Sequence, residues 1–301
     1  MAQAQRYIAD GYDWVVDLDL EKFFDRVNHD KLMGRIAQRV EDRRLLILIR
    51  AFLNAGVMEN GLVGPSVDGT PQGGPLSPLL SNLVLDDLDR ELERRGLRFV
   101  RYADDCNIYV RTVRAGHRVM DRVTRFLATR LLLTVNASKS AVARPQERKF
   151  LGYGFNHRRI RELTVAPQST QRLKLKLKQL FRRGRGMKLT DTIERINRIT
   201  RGWVAYFRLC DVPSCFEALD GWVRRHLRAI QWRQWKTSRT RYQKLRQLGL
   251  PPSQARGALN RFGPWRNAVA PFMHSALRNA TLARMGLVSL LAESRRLAGT
   301  S

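Results

Sequence analysis

The spacing of apolar residues changes its period near residue 160. Before that point apolar and polar residues alternate in strand-like runs; after it apolar residues recur every three to four positions with arginine between them. Charge changes with it: residues 1–155 hold 24 Lys+Arg against 20 Asp+Glu, a net of +4, while residues 156–301 hold the remaining 31 against 7, a net of +24. With 301 residues and 44% apolar side chains the chain can build two modest cores. Two chemically different units are therefore expected, with a boundary between Arg158 and Pro167. A formal net charge of +28 argues against an enzyme of small neutral substrates. It makes nucleic acid the first expectation for a partner and an anionic membrane the second. No run of 18 apolar residues occurs, and MAQAQRYIADGYDW lacks the basic-then-apolar order of a signal peptide. A soluble, non-secreted chain is expected. Cys106, Cys210 and Cys215 form no CxxC pair and the five histidines are scattered, which argues against a disulfide scaffold and a zinc finger.

The segment from Trp14 to Glu21 alternates so that Trp14, Val16, Leu18 and Leu20 share one strand face and Asp17, Asp19 and Glu21 the other. Three carboxylates on one face repel one another unless cations or solvent intervene, and a solvated edge face explains them as well as a site does. A helix follows from Asn28 or Asp30, with Leu32, Ile36 and Val40 at i+4 spacing. Asp104-Asp105 lies between two β-prone runs, as at the turn of a hairpin, where Asp is common for its backbone hydrogen bonding. If the first strand lies beside this hairpin, Asp19 and Asp104 converge within reach of two Mg²⁺ ions, the clamp used in phosphoryl transfer. Between these segments, Gly69-Thr-Pro-Gln-Gly-Gly-Pro-Leu-Ser-Pro78 is either a tight connection or a backbone that approaches a base or phosphate closely, and it does not match the Walker loop. Ser77 is the expected cap, with Pro78 at the first position, of a helix carrying Leu80, Val84, Leu88 and Leu92.

Val-Val-Asp-Leu-Asp-Leu-Glu-Lys-Phe-Phe-Asp, Thr-Pro-Gln-Gly-Gly-Pro-Leu-Ser-Pro and Tyr102-Ala-Asp-Asp105, in this order, resemble the group II intron reverse transcriptase/maturases. Phe150-Leu-Gly-Tyr-Gly-Phe155 resembles the family's primer grip, including Leu151 and Gly152. Leu189 to Tyr206, Phe216 to Trp222 and Arg233-Gln-Trp-Lys236 resemble its maturase-specific thumb. The resemblance implies an α+β fold: a right-hand polymerase palm, an antiparallel sheet with helices, followed by an all-α thumb or maturase bundle. It divides the chain into a palm over 1–157, an RNA-binding thumb over 158–250 and a basic, DNA-binding-like tail over 251–301. It implies that Asp19, Asp104 and Asp105 bind two Mg²⁺ ions. Asp19 is taken over Asp17 because Phe24, five residues on, then holds the place of the aromatic gate against a ribose 2′-OH. Pro71, Gln72 and Gly73 would contact template and incoming nucleotide, and Lys139 would protonate pyrophosphate. Eighteen residues precede Asp19, so the expectation is a member without fingers, completed by dimerisation or by fingers supplied separately. No paired Cys and His of a His-Asn-His endonuclease follow.

In the second half, Leu173, Leu177, Leu180 and Phe181 share a helix stripe, although Lys-Leu-Lys-Leu-Lys also fits a strand. Further helices are expected from Thr190 to Phe207 and from Ser214 to Ile230, together a bundle. Lys174, Lys178, Arg182, Arg183, Arg224, Arg225, Arg228, Arg233 and Lys236 are candidates for RNA binding, because seven acidic residues cannot neutralise 31 basic ones. Trp232 and Trp235 fit the core better than base stacking at helical spacing. The function expected is RNA-directed DNA polymerase and intron maturase, acting in splicing and mobility. Its partners would be intron RNA, an RNA template with a DNA primer and target DNA, with no membrane, in a bacterial cytoplasm near the nucleoid. The alternatives are a polymerase-inactive, truncated maturase serving as an RNA-binding splicing factor, and a basic DNA-binding protein on a degenerate palm.

Overall fold

The computed structural model describes residues 1–299 apart from 22, 24–26, 55–56, 60–61, 65–75 and 158–161. Phe24, Pro71, Gln72 and Gly73 therefore lie outside the described residues. The chain divides into two compact units, one of Met1–Phe150 with Gly154–Arg161 and one of Leu151–Tyr153 with Glu162–Ser301.

The first unit runs α1 (Ala2–Ala9), β1 (Trp14–Leu18), α2 (His29–Ala37), α3 (Arg43–Asn54), β2 (Val57–Glu59), β3 (Leu62–Gly64), α4 (Ser77–Arg94), β4 (Arg98–Tyr102), β5 (Asp105–Val110), α5 (Val113–Phe126) and β6 (Ala141–Ala143). A short strand, β7 (Tyr153–Phe155), follows across the division, with Tyr153 in the second unit and Gly154 and Phe155 in the first. Its centre is an antiparallel sheet in the order β4-β5-β1-β6. Alternation along β1 and β5 gives the sheet two different faces. Val16, Leu18, Cys106, Ile108 and Val110 form a dry face against Leu32 and Ile36 of α2, Leu85, Leu88 and Leu92 of α4 and Val123 of α5. The opposite face carries Asp17 and Asn107, paired across the strands, and Val15 paired with Tyr109. The Tyr7 ring of α1 packs on Tyr109 at 5.7 Å between centroids. The i+4 spacing of α2 and α4 thus reports a real buried stripe, and the Asn28 side chain caps α2 by accepting from the Lys31 N–H at 3.0 Å. In α4 the cap falls on Leu76 rather than Ser77. Leu76 already has near-helical backbone angles, so Ser77 becomes the first helical residue, with Pro78 in the first turn.

The second unit holds β8 (Leu163–Val165), α6 (Pro167–Arg183), α7 (Leu189–Tyr206), α8 (Ser214–Gln234), α9 (Ser238–Gln247), and five shorter helices, α10 (Pro252–Ala255), α11 (Pro264–Asn267), α12 (Pro271–Ala276), α13 (Asn279–Arg284) and α14 (Leu290–Ala298). The Lys-Leu alternation in α6 is helical, with Leu173, Leu177 and Phe181 buried. They join Ile193, Ile196 and Val204 of α7 and Phe216, Leu219, Val223 and Leu227 of α8 in the bundle interior. Trp232 and Trp235 sit in a further cluster with Leu245, Leu250, Met273 and Leu277. Neither indole is available to stack on a base. Among the described residues no helix is long and apolar enough to cross a membrane.

Candidate active site

β1 ends at Leu18, paired with Cys106, so the antiparallel register carries Asp19 toward Asp105 on the polar face of the sheet. Tyr102 pairs with Asp105, which leaves Ala103 and Asp104 as the two-residue turn of the β4–β5 hairpin. Only one of the two adjacent aspartates is thus a turn residue, and the other opens β5. Ala103 takes the left-handed φ of 53° that such turns demand. Arg101 braces the turn by donating to the Ala103 carbonyl at 2.8 Å while its guanidinium is held by Asp89 of α4 at 2.7 Å.

A second turn, residues 136–140, grips β1 where the strand ends. The Asp19 N–H donates to the Ser140 hydroxyl at 3.0 Å, and the Asp19 carbonyl accepts from the Asn136 N–H at 2.8 Å. The Lys139 ammonium stands 3.8 Å from the Asp19 carboxylate. Arg148 joins this turn to the sheet: its Nε donates to the Asp17 carboxylate at 2.7 Å, and its guanidinium also donates to the Lys139 carbonyl. Turned with its nitrogen toward the strand, the Asn107 amide donates to Asp17 at 2.9 Å. Of the three carboxylates that alternate along the first strand, Asp17 is thus held by protein cations and amides. The cation that intervenes at Asp17 is the protein's own Arg148, which lies 131 residues away in sequence.

Burial raises the Asp17 carboxyl above its ordinary value, against the opposing pull of Arg148. Asp105 is also raised, first by burial and then by the like charges of Asp104, Asp17 and Asp19. Asp104 and Asp105 have no ion pair among the described residues. Hard carboxylate oxygens short of positive charge suit Mg²⁺. No three acidic, imidazole or thiol groups among the described residues stand close enough together to hold an ion as they are. Sequence reasoning missed Arg101, Asn107, Ser140 and Arg148, because each acts through a partner distant in sequence or through the backbone.

Leu151 and Gly152 both take left-handed φ values, 53° and 77°. A side chain at Gly152 would meet the Ser169 hydroxyl and the Phe207 ring, so this backbone is closely packed. Of the basic candidates, Lys178, Arg182, Arg183, Arg233 and Lys236 are exposed, while Lys174, Arg224 and Arg225 are half-buried. Lys174 lies 5.7 Å from the Trp222 ring centroid. Arg228 does not join that face. It is 4% exposed and donates to the Leu277 carbonyl at 3.1 Å and to Asn279 at 3.3 Å. Its charge binds the chain to itself.

An antiparallel sheet packed on helices, with its β4–β5 hairpin bringing acidic residues beside the end of the first strand, is the palm of a right-hand polymerase. The reverse transcriptase (RNA-dependent DNA polymerase) family model matches residues 3–155, and the group II intron maturase-specific domain matches residues 170–249. The chain belongs to the reverse transcriptase family, in the branch that carries a group II intron maturase domain. Protein YkfC of Escherichia coli is 40% identical over 84 residues, 28% of this chain and 22% of that protein. The group II intron-encoded protein LtrA of Lactococcus lactis is 40% identical over 91 residues, 30% of this chain and 15% of that protein. The retron Ec86 reverse transcriptase of Escherichia coli is 23% identical over 209 residues, 68% of this chain and 58% of that protein. These matches span less than two thirds of each relative's own length.

Proposed function

We propose that the chain is an RNA-directed DNA polymerase and intron maturase: it adds deoxynucleotides to a DNA primer on an RNA template and binds structured intron RNA and target DNA. The observation that carries the reading is that Asp104 and Asp105 have no ion pair among the described residues, with Asp105 brought toward Asp19 on the polar face of the sheet. Asp19, Asp104 and Asp105 would hold Mg²⁺, two ions in number. When bound, the ions supply charge stabilisation to the attacking primer oxygen and the departing pyrophosphate. The chain's own part is to position and to neutralise. Residues 136–140 fix the backbone of Asp19, Arg101 fixes the turn that carries Asp104, and Arg148 removes Asp17 from the competition for cations. Lys139, whose ammonium stands 3.8 Å from the Asp19 carboxylate, would give a proton to pyrophosphate. Phe24 is the gate against a 2′-OH, and Pro71, Gln72 and Gly73 contact template and nucleotide. Leu151 and Gly152 form the primer grip. Lys174, Lys178, Arg182, Arg183, Arg224, Arg225, Arg233 and Lys236 face the intron RNA, in a bacterial cytoplasm near the nucleoid. We propose three segments for these tasks: a palm over 1–157, an RNA-binding thumb over 158–250 and a DNA-binding tail over 251–301.

A second reading, a maturase that binds RNA without polymerising, draws on the fact that no three ligand groups are gathered among the described residues. Mg²⁺-dependent primer extension on an RNA template, beside Asp104→Ala, decides between them. Extension by the parent and a loss of about a thousand-fold in the variant is expected. No extension, with tight salt-sensitive RNA binding in both, would favour the second reading.

A further inference from the structure

We infer that Phe262 and Trp265 form a platform on which unpaired bases of a single-stranded nucleic acid stack. The two rings lie beyond residue 249, outside both family matches, while Arg225 and His226 beside Trp265 lie within the maturase-specific match. Isolated exposed apolar side chains need no explanation. Here Leu259, Phe262, Trp265 and Val269 are each 41–58% exposed within eleven residues.

The two rings are presented on a fixed loop. Asn267, 1% exposed, donates to the Asn260 side chain at 3.1 Å and to the Phe262 carbonyl at 2.7 Å. The Asn260 side chain in turn donates to Asn267 at 2.8 Å and accepts from the Phe262 N–H at 2.9 Å. The side-chain amides of Asn260 and Asn267 and the Phe262 N–H are spent inward, and the side chains that the loop turns outward are aromatic and cationic. The Arg266 guanidinium lies 3.7 Å from the Phe262 ring centroid and the Arg225 guanidinium 3.9 Å from that of Trp265. The His226 ring backs Trp265 at 4.6 Å. Neither guanidinium has a carboxylate partner among the described residues.

This chemistry selects the occupant. An apolar protein surface laid over the rings would strand two guanidinium charges without counter-ions, which is strongly unfavourable. A nucleotide satisfies both parts, since its base offers a π-face to ring or guanidinium and its phosphate offers the missing negative charge. Every base has such a face, so the platform tolerates any sequence. A duplex, whose bases are already stacked on each other, gains only the phosphate contacts.

The test is fluorescence anisotropy of the full chain with labelled 12-nucleotide oligo(U) RNA and oligo(dT) DNA. Each is compared with a strand of equal length made of abasic residues. Phe262→Leu keeps an apolar side chain and removes the π-face. It is expected to weaken binding to the strands with bases by roughly 5- to 100-fold and to leave binding to the abasic strand unchanged. Phe262→Trp should restore the parent's affinity. The RNA and DNA arms tell which strand the platform prefers. Equal binding of parent and Phe262→Leu to the strands with bases would overturn the proposal, as would an equal loss on the abasic strand. So would a hairpin duplex that competes as well as the single strand. The inference does not rest on nucleotide addition, and the same results are expected when the assay is run on the Asp104→Ala chain.

Discussion

Asp105 is costly where it stands. Its carboxyl is raised above the ordinary value by burial and by three neighbouring aspartates, so the folded chain takes up a proton more readily than the unfolded one. The contribution of such a group to stability is fully present below its unfolded pKa and is lost as pH rises through the raised folded value. Asp17 has the same sign. At neutral pH the polar face of the sheet therefore weakens the first unit. The Asp105 side chain is exposed at the strand end and solvent screens part of the repulsion, so Asp105→Asn is expected to stabilise the unit by only about 0.5 kcal/mol and to flatten the acid side of its stability profile, as measured by urea unfolding between pH 4 and 7. Millimolar Mg²⁺ should raise the melting temperature of the parent more than that of Asp105→Asn, because binding to the folded state alone stabilises by mass action. An equal shift in both chains would remove Asp105 from the ion-binding set. The strand alternation and the paired aspartates made the acidic residues legible in the sequence. That Asp17 is held by Arg148 was not legible, because an arginine 131 residues away carries no periodic signal.

At the scale of elements, α8 is both a bundle helix and a mooring. Asp220, 5% exposed, accepts from the Ser289 hydroxyl at 2.5 Å and from the Leu290 N–H at 2.9 Å, which satisfies the first turn of α14. Eight residues along α8, Arg228 holds the Leu277 carbonyl. Asp220→Ala would strand these donors and is expected to cost about 2–4 kcal/mol in chemical denaturation. A change below about 0.5 kcal/mol would mean that α14 docks through its apolar residues alone. The helix itself was readable from its period, and so in principle was the inward position of Arg228. Asp220, Val223, Leu227 and Arg228 fall at i, i+3, i+7 and i+8, a single stripe. Membership of a strongly basic run masked that spacing, since charge density says nothing about which side of a helix faces in. The Lys-Leu alternation of α6 was ambiguous for the opposite reason: over five residues two and 3.6 are hard to tell apart, and the buried Leu173, Leu177 and Phe181 decide it only over a longer span.

For the molecule as a whole, the partition of charge is the dominant electrostatic fact. A net of +4 over residues 1–155 accompanies +24 over the remainder. Affinity for RNA should then fall steeply with salt: six to ten phosphate contacts correspond to a loss of roughly 10³- to 10⁵-fold between 50 and 200 mM salt. A titration of binding against salt concentration gives the slope directly, and a shallow one would mean that few of the 31 basic residues in the second half meet phosphate. This partition was legible from composition alone. The pinned loop at Asn267 was not, since Asn-Asn pairing over seven residues leaves no trace in charge or period.

The two-faced sheet also governs which changes in length the gene can absorb. Because Val16 and Leu18 face the core while Asp17 faces the site, inserting one codon within β1 would exchange the two faces of everything beyond it. Asp17 would enter the hydrocarbon layer and Val16 would take its place against Arg148 and Asn107. This strand can drift in sequence within its polarity pattern, yet frame-preserving insertions and deletions of a single residue should be purged from it almost without exception.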